Sequence, residues 1–217
     1  KTDKLDPISI SKVYYDKEEM MELKKKDETY NWLRKKTRLY EDQLNHLRKY
    51  KVTFQNQLSI CFPGYLDLFK DGYSDIPMTI LKKYPHPDLL KNKKAETVAR
   101  YLEKNTCHTH KVSLEYALKI IEFAKKTYPG CEKDDVEVEI FKILLDKVIE
   151  TQRECEKTLN EMITVASTLE EYRYISSIDG IGPNLAARII AEIGDIEEFK
   201  SREALVAYAG LDPHIYQ

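Results

Sequence analysis

Residues 18–59 carry few helix breakers, and apolar or large side chains recur there in alternating steps of four and three. Leu33, Thr37, Tyr40, Leu44, Leu47, Lys51, Phe54 and Leu58 follow that rhythm, with Leu23, Lys26 and Tyr30 continuing it upstream. An α-helix turns once in about 3.6 residues, so this spacing draws one narrow stripe along a single helix. The pattern predicts a helix over 18–59, roughly 60 Å long at about 1.5 Å per residue. Phe62-Pro63-Gly64 stops it, because proline cannot continue the hydrogen-bond ladder and glycine favours a turn.

A second stripe runs through Ile140, Leu144, Val148, Thr151, Cys155, Leu159, Met162, Ala166 and Leu169. Polar members (Thr37, Lys51, Thr151) weaken both stripes, which disfavours a long dimeric zipper. Local packing as an antiparallel pair within one chain is the economical arrangement. The intervening residues 63–133 then turn the chain around as short helices, separated by Pro77, Pro85, Pro87 and the Tyr128-Pro129-Gly130 break. With no convincing period-two alternation, the expectation is a mainly α chain. Seven glycines in 217 residues also leave little for hairpin turns that need positive φ.

Charge is unevenly placed. Residues 1–130 hold 26 basic against 18 acidic side chains, a net of +8; residues 131–217 hold 9 against 19, a net of −10. The first part could face a polyanion, the two parts could attract each other, or the charge could simply solvate a face. Cys61, Cys107, Cys131 and Cys155 are far apart and form no C-x-x-C, which reads as reduced thiols in a cytoplasmic protein. No run of residues is long and apolar enough for a membrane span.

Three groups of residues could carry chemistry. Asp3 and Asp6 stand three apart, so on a helical turn they could share a divalent cation such as Mg²⁺, or Asp3 could cap a helix with Asp6 in its first turn. The block Ile178-Asp179-Gly180-Ile181-Gly182-Pro183-Asn184-Leu185-Ala186 has the pattern of a helix-hairpin-helix. There glycines admit a phosphate to backbone N–H groups, and Pro183 starts a helix whose dipole favours an anion. Gly180, Ile181, Gly182, Asn184 and Arg188 are its candidate nucleic-acid contacts, although the same turn could serve only to pack two helices closely. The run Arg34-Lys35-Lys36-Thr37-Arg38 offers four further cations for phosphate, Arg34, Lys35, Lys36 and Arg38. Cys107-His108-Thr109-His110 has no second ligand cluster at zinc-site spacing, and Ser176, Ser177 and Ser201 have no His or Asp arrangement beside them. Farther on, Gly194 ends the helix begun at Pro183, and Ser201 caps a last helix from Arg202 to Ala209.

Together, Lys1-Thr2-Asp3-Lys4-Leu5-Asp6, Phe62-Pro63-Gly64, Leu81 to Pro87, Ile178 to Pro183, Ala191 to Ile196, Phe199 and Ala207 to Pro213 resemble segments of the DEDD transposases of bacterial insertion sequences, or bridge recombinases. The resemblance implies a RuvC-like nuclease domain whose four acidic residues bind Mg²⁺, with Asp3 and Asp6 as the last two and as catalytic residues. It implies that the first two lie upstream of Lys1, and that a serine nucleophile follows shortly after Gln217. The expected organisation is then the edge of a RuvC-like domain over 1–16, a helical coiled-coil region over 17–171, and the start of a transposase domain over 172–217. DNA, a non-coding guide RNA and further copies of the chain are the implied partners. The parent would cut and rejoin DNA, and this piece alone would not cleave. The competing reading is a non-enzymatic helical module that binds nucleic acid or another protein.

Overall fold

The computed structural model describes residues 28–210, and among them there are helices and turns but no strand. Asp3, Asp6, Leu23 and Lys26 lie outside the described residues. The helices are α1 (Glu28–Cys61), α2 (Asp75–Lys83), α3 (Ala95–Asn105), α4 (His110–Lys126), α5 (Val136–Ala166), α6 (Glu170–Ser176), α7 (Pro183–Ile193) and α8 (Arg202–Tyr208). No helix among the described residues is long and apolar enough to cross a membrane. The mainly α expectation is met. The chain divides into two compact units, Arg38–Glu161 and, among the described residues, 28–37 with 162–210.

In the unit Arg38–Glu161, the stripe read from α1 is the buried one: Tyr40, Leu47, Phe54 and Leu58 are buried, while Leu44 and Lys51 are half-buried. Lys51 fits because its ammonium stands 4.0 Å from the centre of the Tyr73 ring, where the π-face attracts the cation. Opposite it, α5 buries Val138, Phe141, Leu145, Val148 and Cys155. Phe54 stacks on Phe141 with ring centroids 5.3 Å apart, and Gln57 Nε2 donates to the Glu137 carbonyl at 3.0 Å. Rising numbers in α1 thus meet falling numbers in α5, so the two run antiparallel through this unit.

The second stripe needs correction at three places. Ile140 is 41% exposed, while its neighbour Phe141 is fully buried; Leu145 replaces Leu144, and Thr158 replaces Leu159. Two apolar stripes lie side by side on α5, and spacing alone cannot choose between them. Packing chooses the one whose aromatic ring fills the space beside Phe54. Pro77 also does not separate helices as expected. It sits in the first turn of α2, where an N–H has no intrahelical acceptor to lose.

The excursion between α1 and α5 is closed by aromatic contacts. Phe62 packs on Tyr65 and Phe123, Tyr65 on Phe69, and Phe69 on Tyr116, at centroid distances from 4.9 to 6.1 Å. The buried Tyr65 hydroxyl donates to the Pro77 carbonyl at 2.8 Å, which spares it an unsatisfied polar group. His86, also buried, accepts the Asp88 N–H at Nδ1, which leaves the proton on Nε2 to donate to the Cys131 carbonyl at 3.1 Å.

In the other unit, Leu33 and Thr37 of α1 and Met162 and Ala166 of α5 are buried, as are Ala186, Ala187, Ile190 and Ala191 of α7. The small side chains let α6 and α7 pack closely across their connecting turn.

Candidate nucleic-acid interface

The hairpin is built by its backbone. Gly180 has φ +89°, a left-handed conformation that side chains with a Cβ adopt only with strain. The Ile181 N–H closes the turn onto the Ile178 carbonyl at 3.0 Å. Gly182 caps α7 in an extended conformation, Pro183 takes the first helical position, and the Ala186 N–H returns to the Gly182 carbonyl at 3.0 Å. The intervening N–H groups, of Asn184 and Leu185, belong to the first turn, where no helix carbonyl can receive them.

The surroundings are open. A Cβ at Gly180 or Gly182 would meet nothing within 4 Å, and Asn184 is exposed. Ile181 is half-buried, and so is Arg188, which lies one turn along α7 on the Asn184 side. Geometrically, the turn can receive a phosphate oxygen on two backbone donors at the positive end of a helix dipole. The exposed Asp179 carboxylate opposes this, since it adds negative charge beside the same turn.

Of the basic run, Arg34 does not join that turn. The Arg34 guanidinium donates to the Glu192 carbonyl at 3.4 Å and would lie 3.2 Å from a Cβ on Gly194. It therefore holds the C-terminal end of α7, where a cation suits the dipole. The helix between the two sites is roughly 16 Å long at about 1.5 Å per residue. Lys36 Nζ stands 5.3 Å from the Trp32 ring centre, while Lys35 is exposed. Arg38 is exposed and belongs to the other unit. Arg34 is thus a positioning residue for α7, a role invisible in sequence because its acceptor is 158 positions away. The Tyr208 hydroxyl adds a second bond to the same Glu192 carbonyl at 3.1 Å, and Tyr30 donates to Glu171 Oε1 on α6 at 2.6 Å.

Among the described residues, no group of three or more His, Cys, Asp and Glu side chains could hold a metal ion. In the Cys107–His110 segment, His110 faces Glu103 Oε2 at 3.1 Å and Glu96 Oε1 at 3.5 Å, and Cys107 is exposed.

The hairpin, α7 and α8 fall inside one recognisable segment. Residues 172–217 match the model of the transposase IS116/IS110/IS902 family. That segment is the last fifth of the chain, and the match supports a transposase role for it. No curated protein and no solved structure matches the chain.

Proposed function

We propose that this chain is part of a transposase that cuts and rejoins DNA to mobilise an insertion sequence. The observation that carries the reading is the family match over 172–217, which covers the open glycine hairpin and the helix it starts. In this reading, the Asn184 and Leu185 N–H groups receive a DNA phosphate without reading sequence, as backbone contacts do. Arg34 and Tyr208 hold the far end of α7 through Glu192, so the hairpin is presented on a helix fixed at its other end. Lys35 and Arg38 supply non-specific attraction for the polyanion.

Asp3 and Asp6 are the carboxylates that would hold Mg²⁺, an ion that neutralises charge developing on a phosphate. Two carboxylates are too few for such a centre, and the described residues offer no further cluster. In this reading further acidic side chains complete the ion's ligands, a serine supplies the attacking hydroxyl, and an RNA-guided oligomer carries the activity.

Binding of the whole chain to labelled duplex DNA, measured over a salt series, tests the hairpin contact. Gly182→Val should weaken binding roughly tenfold, the equivalent of one charge-assisted hydrogen bond of about 1.4 kcal/mol, while circular dichroism shows the fold retained. Lys35→Glu with Arg38→Glu should flatten the salt dependence. DNA affinity indifferent to Gly182→Val would leave the hairpin as a packing element. Transposition from the intact gene, with Asp3→Ala and Asp6→Ala, tests the catalytic assignment: full activity in both variants would refute it.

A further inference from the structure

Within the unit Arg38–Glu161, the chain leaves α1 at Cys61 and comes back to the same point at Cys131 before starting α5. The Gly130 N–H donates to the Ile60 carbonyl at 2.8 Å. A Cβ on Gly130 would lie 3.4 Å from that oxygen and 3.8 Å from Ile60 Cα, so the two backbones are in van der Waals contact. Each of these contacting residues directly precedes a cysteine. The Cys131 thiol is directed at Cys61, with the two Sγ atoms 3.9 Å apart.

Both cysteines are held in place. The Cys61 thiol donates to the Glu137 carbonyl at 3.5 Å, and the Cys131 carbonyl receives the buried His86 ring at 3.1 Å. A disulfide needs its sulfurs at about 2.05 Å, so closure requires an approach of roughly 2 Å, within the range of side-chain rotation and a small loop shift. Cys107 is exposed elsewhere, and Cys155 lies on the buried face of α5.

We propose that Cys61 and Cys131 form a dithiol that closes to an intramolecular disulfide by exchange with a small disulfide such as oxidised glutathione. Cys131 is half-buried and Cys61 fully buried, so Cys131 reacts first. Its thiol loses a proton to solvent, and its sulfur attacks one sulfur of the oxidant, breaking that S–S bond and releasing one thiolate. Cys61 then loses its proton and attacks Cys131 Sγ, releasing the second thiolate. Two electrons pass to the oxidant, which leaves as two thiols once the released protons are taken up. Burial, chiefly, holds both thiols protonated, helped at Cys61 by the neighbouring Cys131 and then Glu137 and at Cys131 by Asp135 and Glu137, so closure is slow at neutral pH. The bond would tie together both ends of the excursion through α2, α3 and α4, restricting the unfolded chain.

Incubation of the whole chain with oxidised glutathione in mildly alkaline buffer, followed by acid quenching and tryptic mapping, tests this. The expected product links peptide 52–70 to peptide 127–133, loses two of the four free thiols, and unfolds at higher temperature until reduced. Cys131→Ser should abolish the link, and Cys107→Ala with Cys155→Ala should retain it. Four thiols that stay free at saturating oxidant would overturn the proposal. So would Cys131 bonded to Cys107, to another chain or stably to glutathione.

Discussion

The register of α5 against α1 can be tested with two neighbouring substitutions. Phe141 is fully buried and stacks on Phe54 at 5.3 Å, while Ile140 is 41% exposed. Phe141→Ala removes a whole ring from a filled site, which costs about 3–5 kcal/mol. The lost aromatic pair, worth roughly 1 kcal/mol, places it toward the upper end. Ile140→Ala removes a larger share of apolar atoms than most surface changes, yet it leaves no cavity and should stay within about 0.5 kcal/mol. With a urea slope of about 2 kcal/mol per molar, the unfolding midpoint of Phe141→Ala falls by about 2 M and that of Ile140→Ala by no more than about 0.3 M. Circular dichroism at the helix band in a urea titration reads both. Equal costs at the two positions, or a larger one at Ile140, would mean that the other apolar stripe faces α1 and would refute the packing described above.

The backbone at the hairpin yields a second contrast. Gly180→Ala meets no neighbour but must adopt φ +89°, so it should cost about 1–2 kcal/mol, whereas Gly182→Ala, at φ −79° and equally open, loses only N-cap preference and should cost about 0.5 kcal/mol. Thermal unfolding of both variants distinguishes them, and a reversed order would contradict the turn geometry. In alkaline solution, burial first and the neighbouring Cys131 second push the Cys61 thiol from 9.0 up to about 12. The folded chain then keeps a proton that the unfolded chain releases, so this contribution is complete below about pH 9 and declines as pH rises toward 12. The buried Tyr65 hydroxyl, raised for the same reason, acts in the same direction. Urea midpoints that hold constant across that range would rule out the burial of these groups.

What the sequence revealed depended on the range of the interaction that decides each feature. The α1 stripe, the stop after Cys61, Pro183 at the start of α7, Gly194 at its end with φ +75°, and the Ser201 cap accepting from Ala204 N at 3.3 Å are local. Spacing and backbone chemistry are enough to read them. Spacing alone places the start of the α5 stripe one residue early, because Ile140 and Phe141 are both apolar and only Phe54, distant in sequence, decides between them. The glycine hairpin was legible as a turn. The separation of Arg34 from it was not, since a row of cations reads as a phosphate contact until the Glu192 carbonyl is seen to occupy one of them. Likewise, cysteine spacing gave no hint that Cys61 and Cys131 are neighbours, because the fold of the residues between them brings them together.

The single hydrogen bond from Gly130 to Ile60 has an evolutionary consequence. A detour whose entrance and exit coincide can take up insertions at little entropic expense, because loop closure grows only slowly with length. Descendants of this chain are therefore free to lengthen its exposed turns, provided that Tyr73 still covers Lys51 and Phe54 and His86 still reaches the Cys131 carbonyl, while the doorway itself stays where it is.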